Sequence, residues 1–141
     1  MKIKTSLIIA ALLWSSCRVQ TSNLQIAQQY LDSIVCCLNF PIDSFGYCIV
    51  IPDEGCSGCI KKSTFFVVDK IDSLSKHLVV FTGVKDMKVL SMTVGKKFLS
   101  RENVLIDSSD MLKDPAFSSI YPQVIEMENG KALRISTLRL P

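Results

Sequence analysis

Several things are scarce in this chain of 141 residues, and each scarcity excludes something. It has one tryptophan and one histidine. The tryptophan, Trp14, lies in the N-terminal apolar run, and the histidine, His77, stands alone where a helix reads into a strand. Helix capping or plain exposure suits His77 better than catalysis. No run of apolar residues is long enough to cross a bilayer as a helix, since Leu7–Trp14 is far short of about 20 residues. Basic residues are spread out and the formal net charge is only +3. Without Lys2 and Lys4 it falls to near +1, and that gives no clustered basic face for nucleic acid. Internal repeats, low-complexity tracts and long charge runs are also missing.

What is present begins with a processing signal. Lys2 and Lys4 precede the short apolar run, and the small residues Ser15 and Ser16 lead to Cys17. A basic start, an apolar stretch and small residues make a secretory signal peptide over residues 1–16. The approach to Cys17 resembles a bacterial lipobox, although Trp14 stands where leucine is usual. The resemblance implies that Cys17 is lipidated and becomes the first mature residue. The expected organisation is a signal peptide (1–16), a lipid-anchored polar spacer (17–23) and one domain (24–141). The expected location is the periplasmic side of the cell envelope, held to a membrane by the lipid.

Leu24, Ala27, Leu31, Ile34, Val35 and Leu38 recur at helical intervals and predict an amphipathic helix ending before Pro41; Ser22 and Gln25 have capping-box spacing. Tyr47–Ile51 is continuously apolar and stopped by Pro52, as a strand buried on both faces requires. Ile60, Val67, Ile71 and Leu74 mark a second helix, Leu78–Val84 a strand, Lys85–Leu99 a third helix and Asn103–Asp107 a strand. Gln123–Met127 and Ala132–Leu138 flank Asn129-Gly130, a strong hairpin signal. This order predicts a three-layer α/β fold with a mixed central sheet and a C-terminal β-hairpin. No final helix follows the hairpin. The face this leaves open is covered by the Leu24–Leu38 helix or serves a partner.

The residues that carry chemistry are Cys56 and Cys59, in Gly55-Cys56-Ser57-Gly58-Cys59 between a buried strand and a helix. Cysteines three apart on a first helical turn can close a small disulfide ring and reopen it, and a helix N-terminus favours the thiolate. A zinc site would need more ligands. Cys36, Cys37, Cys48 and His77 supply them poorly, because the adjacent Cys36 and Cys37 diverge on a helix. No metal or other cofactor is expected. Cys48 reads as a small core residue. Cys36 points away from the apolar face of its helix, and Cys37 flanks that face.

Two segments resemble the thioredoxin-like family, in particular its exported thiol-disulfide oxidoreductases. One is YCIVIPDEGCSGC, residues 47–59, and the other is YPQVIEMENGK, residues 121–131. The resemblance covers about residues 45–138. It implies that Pro122 follows a cis peptide bond beside Cys56, and that the backbone of Tyr121 is presented to an extended peptide. Cys56 then attacks as the thiolate, and the more buried Cys59 resolves the mixed disulfide. Gly55 and Gly58 leave room for the substrate chain. The partners implied are protein thiols or disulfides.

Departures from the family pattern set the direction of flow. Gly55 stands in place of the usual tryptophan, and Ser57-Gly58 in place of Gly-Pro. No histidine lies between the cysteines, and Val50 stands where a buried acid would serve as proton acceptor. Asp53 and Glu54 just upstream disfavour another negative charge. These features point to a reductase or weak isomerase rather than an oxidase. They place the Cys56 thiol toward the upper part of the range for such motifs. Pro52 is followed by Asp53, not by the arrangement that peroxidase chemistry needs. The alternative is a redox-inactive binding module of the same fold on the same membrane anchor.

Overall fold

The computed structural model of the chain describes residues 23–108 and 120–140. The expected signal peptide, Cys17 and Ser22 lie outside the described residues. In chain order the elements are α1 (Asn23–Leu38), β1 (Tyr47–Pro52), α2 (Ser57–Lys70) with a 3-10 turn at Ile71–Ser73, and β2 (His77–Thr82). There follow α3 (Met87–Val94), α4 (Lys96–Leu99), β3 (Val104–Asp107), β4 (Gln123–Glu128) and β5 (Lys131–Thr137). The five strands form one mixed sheet in the order β3-β2-β1-β4-β5. β1, β2 and β3 run parallel, while β4 is antiparallel to β1 and β5 antiparallel to β4. No helix among the described residues is long and apolar enough to cross a membrane.

The layers follow from alternation along the strands. Cys48, Val50, Leu78, Val80, Ile125 and Met127 turn to one face, where Ala27, Tyr30, Leu31 and Ile34 of α1 cover them. Ile49, Ile51, Val79, Phe81 and Val104 turn to the other, where they meet Val67, Ile71, Leu74, Val94 and Phe98. β1 and β2 are thus apolar at every inner position because both their faces are buried. The crossovers β1–α2–β2 and β2–α3–β3 step the same way across the sheet. With the usual right-handed connection, their helices fall on one face. α1 covers the opposite one.

Of the two coverings expected for this face, the structure shows α1. It packs along β5, and Gln28 fastens it to the hairpin. The Gln28 side chain donates to the Gly130 carbonyl (3.2 Å) and accepts from the Ala132 amide (2.7 Å). The buried stripe of α1 is rotated relative to the one read from sequence. Tyr30 is buried, whereas Leu24 and Val35, counted in the predicted stripe, are 40% and 43% exposed.

Local chemistry explains the ends. Pro52, the last residue of β1, has no amide to donate, and only one further bond to β2 follows it, from the Asp53 amide. Asn129 and Gly130 both take positive φ, 49° and 74°, which makes the two-residue turn whose twist matches the strands. The expected single helix over Lys85–Leu99 is two helices. Asp86 caps α3 by accepting from the amides of Lys88 (2.8 Å) and Val89 (3.0 Å). Gly95, at φ 84°, ends α3 and starts α4.

His77 neither caps a helix nor lies fully in solvent. It opens β2 opposite Tyr47 in the parallel register, and the two rings stack with centroids 4.8 Å apart. Its Nδ1 is buried without a hydrogen-bond partner, and burial lowers its pKa.

Two outcomes follow. Leu31→Ala, at a fully buried position, costs about 2–5 kcal/mol in denaturant unfolding, whereas Val35→Ala costs about 0.5 kcal/mol or less. Because the unfolded chain takes up a proton on His77 at a higher pH than the folded chain does, stability falls as pH drops through about 6.5 and below. Urea midpoints measured from pH 8 to pH 5 show this slope in the native chain and a weaker one in His77→Phe, which keeps the stacked ring.

Candidate functional site

The cysteine turn is built at the C-terminal end of β1, the centre of the sheet. Beyond Pro52 the pairing with β2 persists for one more bond, from the Asp53 amide to the Thr82 carbonyl (3.0 Å). The Lys85 amide then donates to Asp53 Oδ2 (3.2 Å), and the Lys85 ammonium pairs with the Glu54 carboxylate. Gly55 follows with φ +145°. Cys56 is the N-cap of α2, in extended conformation, and its carbonyl accepts the first helical bond from the Ile60 amide (2.9 Å).

Cys56 and Cys59 form a disulfide with Cα atoms 5.2 Å apart. It closes the first turn of a helix of 14 residues. Both cysteines are half-buried, so the oxidised form does not rank one as the more accessible. Cys56 holds the N-cap position, and its sulfur, tied up in the disulfide, makes no capping bond to the free amides of the first turn. When the ring opens, a thiolate there meets the positive end of the helix dipole.

The residues just before β4 reach this turn, but not by the contact that was expected. The contact runs through Ile120, whose carbonyl accepts from the Cys56 amide at 2.8 Å. The Tyr121–Pro122 bond is trans, and no cis peptide bond occurs among the described residues. The cis-proline expectation is therefore corrected, and it lends no support to the family resemblance. Pro122 is buried and its carbonyl accepts from the Leu138 amide (2.8 Å), while the side chains of Ile120 and Tyr121 are exposed. The space beside Gly55, read from sequence as room for a substrate, is taken by the chain itself. A Cβ at Gly55 would lie 2.8 Å from Ile120 Cα and 2.9 Å from its carbonyl carbon. Gly58 is open, with nothing within 4 Å of such an atom.

The charges near the turn also differ from the sequence reading. Asp53 and Glu54 are both engaged by Lys85, a residue brought in from the β2–α3 connection, so their repulsion of a thiolate is partly offset. Val50 is buried under α1 and carries no acid. A buried acid exists elsewhere: Asp107, at the end of β3, is 1% exposed and accepts from the Thr82 hydroxyl (3.4 Å). Burial is the main cause that raises the Tyr30 pKa; Cys48 and Asp107 add to it, and a hydrogen bond with Thr82 opposes it. Sequence reasoning missed this group of Tyr30, Cys48, Thr82 and Asp107, because an acid ending a predicted strand ordinarily faces water.

The other cysteines are apart from the site. Burial pushes the Cys48 thiol far up and leaves it inert in the core. Cys36 and Cys37 are exposed on α1, across the sheet from α2. No group of three or more His, Cys, Asp or Glu among the described residues is placed to share a metal ion.

Opening the ring has a measurable cost in stability. In the chain-entropy account even a short loop contributes about 2 kcal/mol through the unfolded state. Reduction therefore lowers the urea midpoint of the native chain, and a Cys56→Ser/Cys59→Ser variant unfolds at the reduced protein's midpoint under both conditions.

Compared with known proteins, the chain matches no family model, no curated protein and no solved structure.

Proposed function

We propose that this chain is an exported, thioredoxin-like thiol-disulfide oxidoreductase, anchored to a membrane through a lipid on Cys17 and facing the periplasmic side of the cell envelope. The observation that carries the reading is the Cys56–Cys59 disulfide closing the first turn of α2 at the end of a central, doubly buried strand. Such a pair is rigidly held, half-exposed and set against a helix dipole, which are the conditions that dithiol exchange needs. The partners are protein disulfides, and no bound cofactor takes part.

In the reductase direction the reaction starts from the dithiol. Cys56 loses its proton and attacks one sulfur of the partner's disulfide, forming a mixed disulfide and releasing the other partner sulfur as a thiolate, which takes up a proton. Cys59 then loses its proton and attacks the Cys56 sulfur. The second partner sulfur leaves and is protonated, and the Cys56–Cys59 disulfide is restored. Two electrons have passed to the partner, and an external dithiol must return the pair to its reduced state. Tyr121, whose side chain is exposed next to Ile120, is the residue assigned to meet the partner's chain, and the buried Pro122 fixes the backbone behind it.

A redox-inactive binding module on the same anchor is the second reading. It is favoured by the Ile120 backbone, which occupies the space beside Gly55 and spends its carbonyl on the Cys56 amide. One experiment separates the two. Cys59→Ala, presented with oxidised envelope proteins, accumulates mixed disulfides that dissolve on adding dithiothreitol, and Cys56→Ala accumulates none. Either substitution lowers turnover of a peptide disulfide by at least about 100-fold, since both sulfurs are reactants. A reduced wild-type pair that neither turns over nor is trapped in Cys59→Ala leaves the binding module as the reading.

A further inference from the structure

Gly55 and Gly58 flank Cys56 almost symmetrically in sequence, yet the structure gives them opposite surroundings. Gly58 borders open space. Gly55 adopts a φ of +145°, which side chains rarely tolerate, and its missing Cβ is what lets the Ile120 backbone close on the turn. The product of that approach is one main-chain bond, from the Cys56 amide to the Ile120 carbonyl at 2.8 Å. Ile120 is itself held from behind, since the Pro122 carbonyl two residues later is tied to the Leu138 amide.

We propose that Gly55 is a positioning residue and that this clamp on the Cys56 amide sets the poise of the redox pair toward the disulfide, making the dithiol a stronger reductant. The proposal rests on the thiol-disulfide reading above. Two physical effects act in the same direction. The bond is made in the oxidised turn seen here, with Cys56 held extended at the N-cap, so it stabilises that state directly. It also keeps the negative end of a carbonyl dipole against the residue that must carry a thiolate once the ring opens, and this opposes the helix dipole. The chemistry affected is the exchange in which an external dithiol gives two electrons and two protons to the Cys56–Cys59 bond, becoming a disulfide itself.

The test has two parts, both on the full chain. In the native chain, amide hydrogen exchange at Cys56, followed by NMR, is expected to be about tenfold slower in the oxidised than in the reduced state, the scale of one hydrogen bond. This comparison needs no variant and holds even if a substituted chain fails to fold. In Gly55→Ala, the Cβ pushes the Ile120 backbone away. Cys56 amide protection is then lost, and the equilibrium against a dithiothreitol buffer moves about tenfold toward the dithiol, about 30 mV for a two-electron couple. Gly58→Ala keeps the amide protected. Equal protection in the two redox states of the native chain overturns the proposal, as does a Gly55→Ala equilibrium that stays put after protection is lost. A native pair that cannot be cycled in the buffer at all fails differently, because it removes the thiol-disulfide reading itself.

Discussion

β1 is hydrogen-bonded along both edges, to β2 on one side and β4 on the other, and apolar side chains bury both its faces. Every other element takes its place from that strand. The parallel neighbour calls for a crossover helix, so the chain leaving β1 must turn at once into α2. The antiparallel neighbour brings the end of a distant segment back to the same point. The cysteine turn lies where these two demands meet, and its backbone is held from both sides, by the Thr82 carbonyl of β2, which accepts from the Asp53 amide, and by the Ile120 carbonyl next to β4, which accepts from the Cys56 amide. A surface ion pair such as Lys85–Glu54 is worth little alone, about 0–1 kcal/mol. Firmness at the turn comes instead from main-chain bonds that the sheet has already positioned.

The face under α1 is less uniform than the face under α2. Among aliphatic side chains it holds Tyr30 and Cys48, whose ionisation burial opposes, and Thr82 and Asp107, polar groups that need partners away from water. Thr82 and Asp107 end β2 and β3 at the same level of the sheet as Pro52 ends β1. The polar group therefore lies toward the end of the sheet from which the cysteines project. Tyr30 reaches from α1 into this group, so polar as well as apolar contact sets how α1 packs on the sheet.

Much of this arrangement was legible from residues alone, and the reasons are local. A run such as YCIVI stopped by proline has few alternatives to a buried strand, and Asn-Gly between alternating segments has few alternatives to a tight hairpin. The C-x-x-C told of a disulfide because three residues on a helix bring two sulfurs together without help from the rest of the chain. Other features needed the third dimension. Leu24 and Val35 have the right spacing for the core, but the rotation of α1 over the hairpin gives their place to Tyr30. Gly55 signals close approach without saying what approaches, and its neighbour is more than sixty residues away in sequence. Pro122 suggested a cis bond by analogy, while the isomer is set by surroundings that sequence does not display. Lys85 meeting Glu54, and Asp107 disappearing under α1, are likewise products of strand order.

The burial of Cys48 bears on how the chain must mature. Once β1 has joined the sheet, that thiol is shut off from oxidants and from its fellow cysteines, and wrong pairings through it are closed. Before that moment it is only eight residues from Cys56 on an open strand and free to compete for it. In the folded sheet the pair Cys56–Cys59 is therefore out of reach of Cys48, and mispairing through that thiol is open only to a chain in which β1 is not yet buried.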